Sequence, residues 1–123
     1  RDFNEELIQW DADVTLVEGP FDHIVVPNSI PLLGKVLNKD FALYWEIMQN
    51  ANAHINIWLD DDAQESAIKL YSLLNHGRLY DKIRIIRSKL GKDSSEIYEK
   101  YGKKGIIASM RHTEKIEEYQ LFF

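Results

Sequence analysis

The amino-acid sequence predicts an α/β domain in which a parallel sheet of about four strands is flanked by helices. Short apolar runs rich in β-branched residues alternate with segments of helical period, a pattern typical of strands joined by crossover helices. The chain has 123 residues, of which 45% are hydrophobic and 28% are charged. These values are those of a globular domain large enough to bury one core. We therefore expect a single domain over residues 1–123.

The first half of the chain carries two of the predicted strands. Residues 14–17 form the first apolar run, and the helical turn over residues 21–26 that follows is closed by Pro27. The second strand is predicted at residues 30–33 and stops at Gly34. The next helix has apolar residues at spacings of three and four, which predicts one buried face. The residues on that face are Phe41, Tyr44, Trp45 and Met48.

The second half of the chain carries the other two strands, at residues 55–59 and 83–86. The longest helix lies between them, and its predicted buried face consists of Ala67, Leu70, Tyr71 and Leu74. After the fourth strand, Asp93 and Glu96 predict a capping box for a helix that ends near Gly102. Residues 106–123 show no clear pattern.

Composition excludes several classes of protein. No window approaches 18 consecutive apolar residues, so no membrane span is predicted. The chain has no cysteine, which excludes disulfide bonds and thiolate metal sites. Because Arg1 stands in place of an initiator Met and no signal-peptide pattern follows it, we expect a domain excised from a larger protein.

Charge is divided unevenly along the chain. Residues 1–74 hold 4 Lys or Arg against 13 Asp or Glu, whereas residues 75–123 hold 11 against 7. One interpretation is a cation site beside a surface that contacts phosphates. The other is solvated charge that happens to be unevenly distributed.

Four acidic residues follow the carboxyl ends of predicted strands: Glu18, Asp60, Asp62 and Asp93. In a parallel α/β sheet the ligand crevice lies at these ends, so we expect the carboxylates to meet there. Clustered carboxylates repel one another unless a cation neutralises them, and their hard oxygen atoms suit Mg²⁺ or Mn²⁺. Alternatively, Asp60 and Asp62 only cap the following helix, with Glu65 completing a capping box.

The same residues resemble a known family. Residues 17–22 read Val-Glu-Gly-Pro-Phe-Asp, which resembles the Glu-Gly-x-x-Asp motif of the TOPRIM domain. This domain occurs in bacterial and phage primases, type IA and II topoisomerases, OLD-type nucleases and the RNase M5 group. Gly34 resembles a glycine of primases, residues 60–62 resemble the Asp-x-Asp motif, and residues 91–93 resemble the Gly-x-Asp turn of primases. The resemblance covers roughly residues 13–105.

The resemblance implies a TOPRIM-like, Rossmann-like fold and a role for each matching residue. Glu18 matches the glutamate proposed as a general base in strand transfer, or as a metal-site carboxylate in primases. Asp60 and Asp62 match the two metal-ligating aspartates, and Asp22 and Asp93 match supporting acidic positions. The implied cofactor is Mg²⁺ or Mn²⁺.

Within the family, the residues are most similar to those of primases. Residues 63–66 read Ala-Gln-Glu-Ser and do not match the Arg-Glu-Gly-Glu of type IA topoisomerases. They also lack the Ala-Gly pair of many primases, and Leu90 replaces an aspartate common before the Gly-x-Asp turn. The implied function is metal-dependent synthesis of RNA primers from ribonucleoside triphosphates on single-stranded DNA.

The resemblance further implies a cytoplasmic protein of a bacterium or phage-infected cell that works with a replicative helicase. The activity of the isolated domain is expected to be weak or absent. Two other functions remain open at this stage. One is an OLD-like or RNase M5-like nuclease, in which the same metal site directs water at a phosphodiester. The other is a non-catalytic module such as a phospho-acceptor receiver domain.

Two further surfaces have more than one interpretation. Contacts with template or nucleotide phosphates are predicted for basic residues on the side of the sheet that carries the carboxylates: Lys35, Arg84, Arg87, Lys89 and Lys92. The alternative is that these residues belong to a solvated loop. Residues 120–123 read Gln-Leu-Phe-Phe and are similar to peptides that bind sliding clamps. The alternative is that these aromatic residues pack onto the domain.

Overall fold

The centre of the protein is a five-stranded β-sheet with helices on both faces. The computed structural model describes residues 5–35, 37–39, 41–87, 90 and 93–114. The strands are β1 (Val14–Val17), β2 (Ser29–Pro31), β3 (Ile55–Trp58), β4 (Ile83–Ile86) and β5 (Thr113–Glu114). The helices are α1 (Pro20–Val25), α2 (Ala42–Asn50), α3 (Gln64–Leu74) and α4 (Ser94–Met110). Short 3-10 helices occupy Glu5–Leu7, Asp61–Ala63 and Gly77–Leu79.

The strand order is β2-β1-β3-β4-β5, and the first four of these strands are parallel. β5 pairs antiparallel with β4 at one edge. The predicted α/β class, with four parallel strands flanked by helices, is therefore confirmed. β1 and β3 are neighbours in register, with Val14 opposite Ile55 and Val17 opposite Trp58. All residues of both strands are buried, as is usual for parallel strands covered by helices on both faces.

Successive strand residues face opposite sides of the sheet, and each side has its own hydrophobic core. On one side, Val14 and Leu16 belong to a core that includes the buried residues of α2 and α3. On the other side, Val17 and Trp58 pack with buried residues of α4. The chain continues from β1 to β2 toward one edge of the sheet and from β3 to β4 toward the other edge. The boundary between β1 and β3 is therefore a topological switch point.

The buried face of α3 is the predicted one: Ala67, Leu70, Tyr71 and Leu74 are all buried. The face of α2 differs from the prediction. Leu43, Tyr44 and Ile47 are its buried residues, whereas Trp45 is 49% exposed. Leu43, Tyr44 and Ile47 lie within about 100° of one another around the helix, and Trp45 lies about 100° further on, outside this face. The Trp45 indole N–H donates instead to the Lys39 carbonyl at 2.7 Å. The predicted Phe41 and Met48 are partly buried against the same core as Tyr44.

α4 consists of two helical segments that meet at Gly102, whose φ of 67° and ψ of −156° are not helical. The segment that begins after Asp93 therefore ends near Gly102, as the sequence predicts, and a second segment, which the sequence does not predict, continues across the kink to Met110. The segment of α4 after Gly102 is held against the sheet because Ile106 is buried in the core that α1 also contacts. In the part of the chain that the structure describes, none of the helices combines the length and the apolar character required to cross a membrane.

The kink at Gly102 makes a test of stability possible. Gly102→Ala is expected to lower the free energy of unfolding by about 1–3 kcal/mol, because only glycine adopts this backbone conformation without strain. Urea denaturation followed by circular dichroism measures the change. Lys103→Ala, at the exposed neighbouring position, is the control and should alter stability little. Equal denaturation midpoints for Gly102→Ala and the unsubstituted chain would contradict the prediction.

Candidate functional site

Two carboxylates meet at the carboxyl edge of the sheet. Glu18 directly follows β1, and Asp60 lies two residues after β3. Because Val17 and Trp58 are opposite each other, the chain segments that leave the two strands run side by side. The backbone N–H of Asp60 donates a long hydrogen bond of 3.4 Å to Glu18 Oε1. The register of two buried strands thus brings together residues 42 positions apart.

The electrostatic environment of Asp60 identifies the other members of the cluster. The pKa of Asp60 is raised from 3.8 to about 7, first by burial of the carboxyl group and then by the charge of Glu18 and a hydrogen bond with the Glu18 side chain. The charges of Asp93 and Asp22 make smaller contributions in the same direction. Three other carboxyl groups therefore act on Asp60, and near neutral pH Asp60 is partly protonated. We call Glu18, Asp22, Asp60 and Asp93 the acidic cluster.

Asp22 is held between the first and last helices. Its Oδ2 accepts a hydrogen bond from the Gly19 backbone N–H at 3.1 Å. Its Oδ1 accepts a hydrogen bond of 2.5 Å from the hydroxyl of Ser94, which is buried at the start of α4. The sequence does not predict that Ser94 belongs to the site. Its position directly after Asp93, the predicted capping residue, is the only local feature that brings it near the candidate residues. It fixes the side chain of Asp22 and links α1 to α4.

Asp93 caps α4, as predicted. Its Oδ1 accepts hydrogen bonds from the Glu96 backbone N–H and from the Ser95 hydroxyl, both at 2.8 Å. Capping fixes the position of this carboxylate while leaving its charge in place, and that charge acts on Asp60. The helix cap and the acidic cluster therefore share one residue.

Asp62 lies apart from the acidic cluster. It is exposed in the 3-10 helix Asp61–Ala63, and its charge is not among those that raise the pKa of Asp60. The capping alternative is not supported either. Asp60 occupies the N-cap of this 3-10 helix and Ala63 the N-cap of α3, and neither position has a capping hydrogen bond from a side chain.

The donor chemistry of the acidic cluster fits a divalent cation. Its oxygen atoms are hard ligands, and the raised pKa of Asp60 reflects burial first and then repulsion from neighbouring carboxylates, a repulsion that a cation would relieve. Among the residues that the structure describes, no three His, Asp or Glu side chains converge closely enough to enclose an ion. Mg²⁺ is commonly bound by one or two carboxylates, with water and substrate phosphates supplying the other ligands. Glu18 and Asp60 are the pair suited to that role.

The predicted basic residues occupy different places. The side chain of Arg84 donates through Nη2 to His54 Nε2 at 2.8 Å. His54 immediately precedes β3, so the guanidinium reaches the amino edge of the sheet, opposite the acidic cluster. The prediction that Arg84 faces the carboxylates is therefore wrong, because its side chain extends back along the sheet. Arg87 is exposed just beyond the carboxyl end of β4, on the side of the acidic cluster.

Some predicted residues fall outside the described part of the chain. These are Lys89, Lys92, the glycine of the Gly-x-Asp turn and residues 120–123, whose predicted roles stay predictions. Lys35 is described and exposed beside Gly34, with its Nζ 5.5 Å from the centre of the Phe41 ring.

A cavity of about 580 Å³ opens next to Glu18. Lys35 and Gly34 lie on one wall and Ser66 and Lys69 of α3 lie on another. Its apolar lining is formed by Leu32, Leu37, Leu59, Leu70 and Leu73. The sequence does not identify Ser66 and Lys69 as site residues, because the only pattern that links them is a separation of three residues along α3.

No protein-family model matches the chain, and no curated protein matches its sequence. Among solved structures, the chain is similar to the Aquifex aeolicus primase, in a structure of its zinc-binding and RNA polymerase domains. The TM-score is 0.62 at 18% sequence identity, over 85% of this chain and 26% of that chain. The fold is therefore primase-like, and the chain spans about a quarter of the primase structure that it matches.

The raised pKa of Asp60 predicts a dependence of stability on pH. This carboxyl group titrates near its ordinary value of 3.8 when unfolded and near 7 when folded. Between these values the folded state binds more protons, so the contribution of Asp60 to the free energy of unfolding decreases as pH rises. In metal-free buffer, Asp60→Asn should therefore gain stability relative to the unsubstituted chain from about pH 4 to pH 7 and hold a constant advantage above that.

Thermal melting across this pH range, with a chelator present, measures the effect. Asp61→Asn is the matched control, because it removes an exposed charge from the adjacent position. Its stability difference should stay nearly constant with pH. If the Asp60→Asn and Asp61→Asn curves run parallel, the assignment of Asp60 to the acidic cluster is wrong.

Proposed function

We propose that this chain is the TOPRIM catalytic domain of a DNA primase, which joins ribonucleotides into RNA primers on a single-stranded DNA template. The observation that carries the proposal is the pairing of Glu18 and Asp60 at the switch point of a primase-like fold. The motif resemblance at residues 17–22 and 60–62 supports it, because both segments lie at the ends of neighbouring parallel strands.

The chemistry assigned to the acidic cluster is the binding of a divalent cation and the handling of a proton. A bound Mg²⁺ or Mn²⁺ would neutralise negative charge on a nucleoside triphosphate as a hydroxyl attacks its α-phosphate. Glu18 and Asp60 hold the cation, while Asp22 and Asp93 add negative charge from fixed positions. With the cation held by Asp60, Glu18 would accept the proton of the attacking hydroxyl, while the bond between the α- and β-phosphates breaks and pyrophosphate leaves with the cation neutralising its charge.

Asp62 has a different role in this proposal. Its exposed position outside the acidic cluster suits contact with the cation through water rather than direct ligation. Arg87 and Lys35 are among the described basic residues on the same side of the sheet, and they are suited to phosphate contacts. Template DNA and ribonucleoside triphosphates are the proposed ligands.

The receiver interpretation is less well supported. Receiver-type sheets have the strand order 2-1-3-4-5 with parallel strands, and this protein has the same order. Its last strand, however, is antiparallel, because α4 is followed by a short return to the outer side of β4. A nuclease would require the same cation and the same carboxylates. The activity assay therefore measures cleavage of nucleic acid as well as synthesis of RNA.

Cation binding by the chain is the first test. Added Mn²⁺ should raise the melting temperature, because a ligand that binds only the folded state stabilises it by about 2.7 kcal/mol at one hundred times its Kd. Asp60→Asn should abolish this rise, Asp61→Asn should preserve it and Asp62→Asn should reduce it only partly. If the unsubstituted chain and Asp60→Asn respond alike up to millimolar Mn²⁺, the proposed cation site is wrong.

Primer synthesis is the second test, performed on the full polypeptide that carries this sequence. With single-stranded DNA, labelled ribonucleotides and Mg²⁺, the product should be short RNA. Glu18→Gln should reduce the rate by about 10²-fold or more if Glu18 takes part in proton transfer. Glu99→Gln, on the exposed surface of α4, is the control and should retain activity. Cleavage of nucleic acid without primer formation would instead identify a nuclease.

A further inference from the structure

Ser94 connects the start of α4 to the acidic cluster. It is the first residue of the helix and only 3% exposed, and its hydroxyl donates to Asp22 Oδ1 at 2.5 Å. The other oxygen of this carboxylate, Oδ2, accepts a hydrogen bond from the Gly19 backbone N–H at 3.1 Å. A hydrogen bond from a hydroxyl to a carboxylate is shorter and stronger than one between neutral groups. The two donors, one at the start of α1 and one on α4, therefore fix the plane of the Asp22 carboxylate.

The orientation of Asp22 depends on both donors. Within the part of the chain that the structure describes, Gly19 and Ser94 supply the hydrogen bonds that this carboxylate accepts. With one donor only, the carboxylate could turn about its Cβ–Cγ bond, because this torsion is soft in aspartate. The hydrogen bond from Ser94 is partly buried, so water replaces the missing donor less readily than it would at the surface. Removal of the hydroxyl should therefore release the orientation of Asp22.

The position of Ser94 is set by the packing of α4. Ile97, three residues further along, is fully buried in the core on this face of the sheet. At Gly105 the second segment of α4 lies directly against the first. A Cβ at this position would be 2.6 Å from Tyr101 Cβ and 2.9 Å from Ile97 Cγ2. A closely packed element thus presents the Ser94 hydroxyl to Asp22, which is the kind of support that holds a functional side chain in one geometry.

We propose that Ser94 is a positioning residue, whose hydroxyl holds the Asp22 carboxylate in the orientation that supports cation binding by the acidic cluster. Groups that hold the side chains around a metal commonly change metal affinity by roughly 10–100-fold when they are removed. This role rests on the proposed function, because it requires a cation at the proposed site. It differs from a simple link between α1 and α4, because loss of such a link would lower stability without changing the affinity for a cation.

The affinity of the chain for Mn²⁺, measured by calorimetry, tests this role. Ser94→Ala removes the donor and should raise the Kd for Mn²⁺ by about tenfold. Ser94→Thr keeps a hydroxyl at the same carbon and should return the Kd to near that of the unsubstituted chain. The Kd describes the folded chain, so a loss of stability that leaves the chain folded at the assay temperature does not change it.

Two comparisons separate positioning from a general effect on α4. Ser109→Ala is the matched control, because Ser109 is also a buried serine of this helix but lies in the segment after the kink. It should leave the Kd for Mn²⁺ unchanged even where stability falls. The second comparison uses the Asp22→Asn background. Ser94→Ala should have no further effect on the Kd there, because no carboxylate remains for the hydroxyl to orient.

Thermal melting in the presence of a chelator checks that each variant folds. If Ser94→Ala does not fold, Ser94→Pro takes its place, since proline also lacks the hydroxyl and suits the first position of a helix. Asp93 before it is extended, with φ −145° and ψ 171°, as a residue before proline must be. Equal Kd values for Ser94→Ala and the unsubstituted chain would overturn the role of Ser94. Equal weakening by Ser109→Ala, or a further loss in the Asp22→Asn background, would do the same.

A failure of this role can be distinguished from a failure of the proposed function. If the unsubstituted chain binds Mn²⁺ and Asp60→Asn abolishes binding, the cation site stands. An unchanged Kd for Ser94→Ala then rejects the role of Ser94 alone. If the unsubstituted chain does not bind Mn²⁺, the proposed cation site is wrong and the role of Ser94 is rejected with it.

Discussion

The in-register parallel pairing of β1 and β3 is the constraint on which the rest of the structure depends. Val17 and Trp58 face each other at the ends of these strands, and both are buried. The pairing is stabilised by two separate hydrophobic cores, one on each face of the sheet, so a shift in register would expose residues of both. Because the register is fixed, the segments that carry Glu18 and Asp60 leave the sheet side by side. The mutual repulsion of the two carboxylates is a cost that the cores offset and that a cation would relieve.

The two helical layers complete the site from opposite faces. On the face of α1 and α4, the hydrogen bond between Ser94 and Asp22 and the capping role of Asp93 hold acidic groups at helix starts. On the other face, the packing of α3 leaves a cavity whose wall includes Glu18. Glu18 is thus the residue at which the two halves of the candidate site meet.

Much of the fold could be predicted from the sequence because its determinants are local. The strand boundaries at residues 14–17 and 83–86 agree with those observed, since short runs rich in β-branched residues favour strands over helices. The buried face of α3 was also correct, because an 11-residue helix gives a clear period. The end of the first segment of α4 at Gly102 agrees with the prediction, whereas the second segment was not predictable from the local pattern of residues 103–110. Burial of Ile106 in the core that contains Val17 and Trp58 holds this second segment in place.

For the candidate site, the sequence by itself determined that Glu18 and Asp60 follow the first and third strands of a parallel sheet, and strand direction then places both at one edge. That these two strands are neighbours is a property of the fold. Only the tertiary structure decided which other groups join them. Asp62 is two residues from Asp60 and yet remains exposed, and Arg84 turns to His54 at the opposite edge. Ser94 reaches Asp22 across 72 positions of the chain. The direction of a long side chain and the contacts between helices are set by packing among distant segments, which no local pattern encodes.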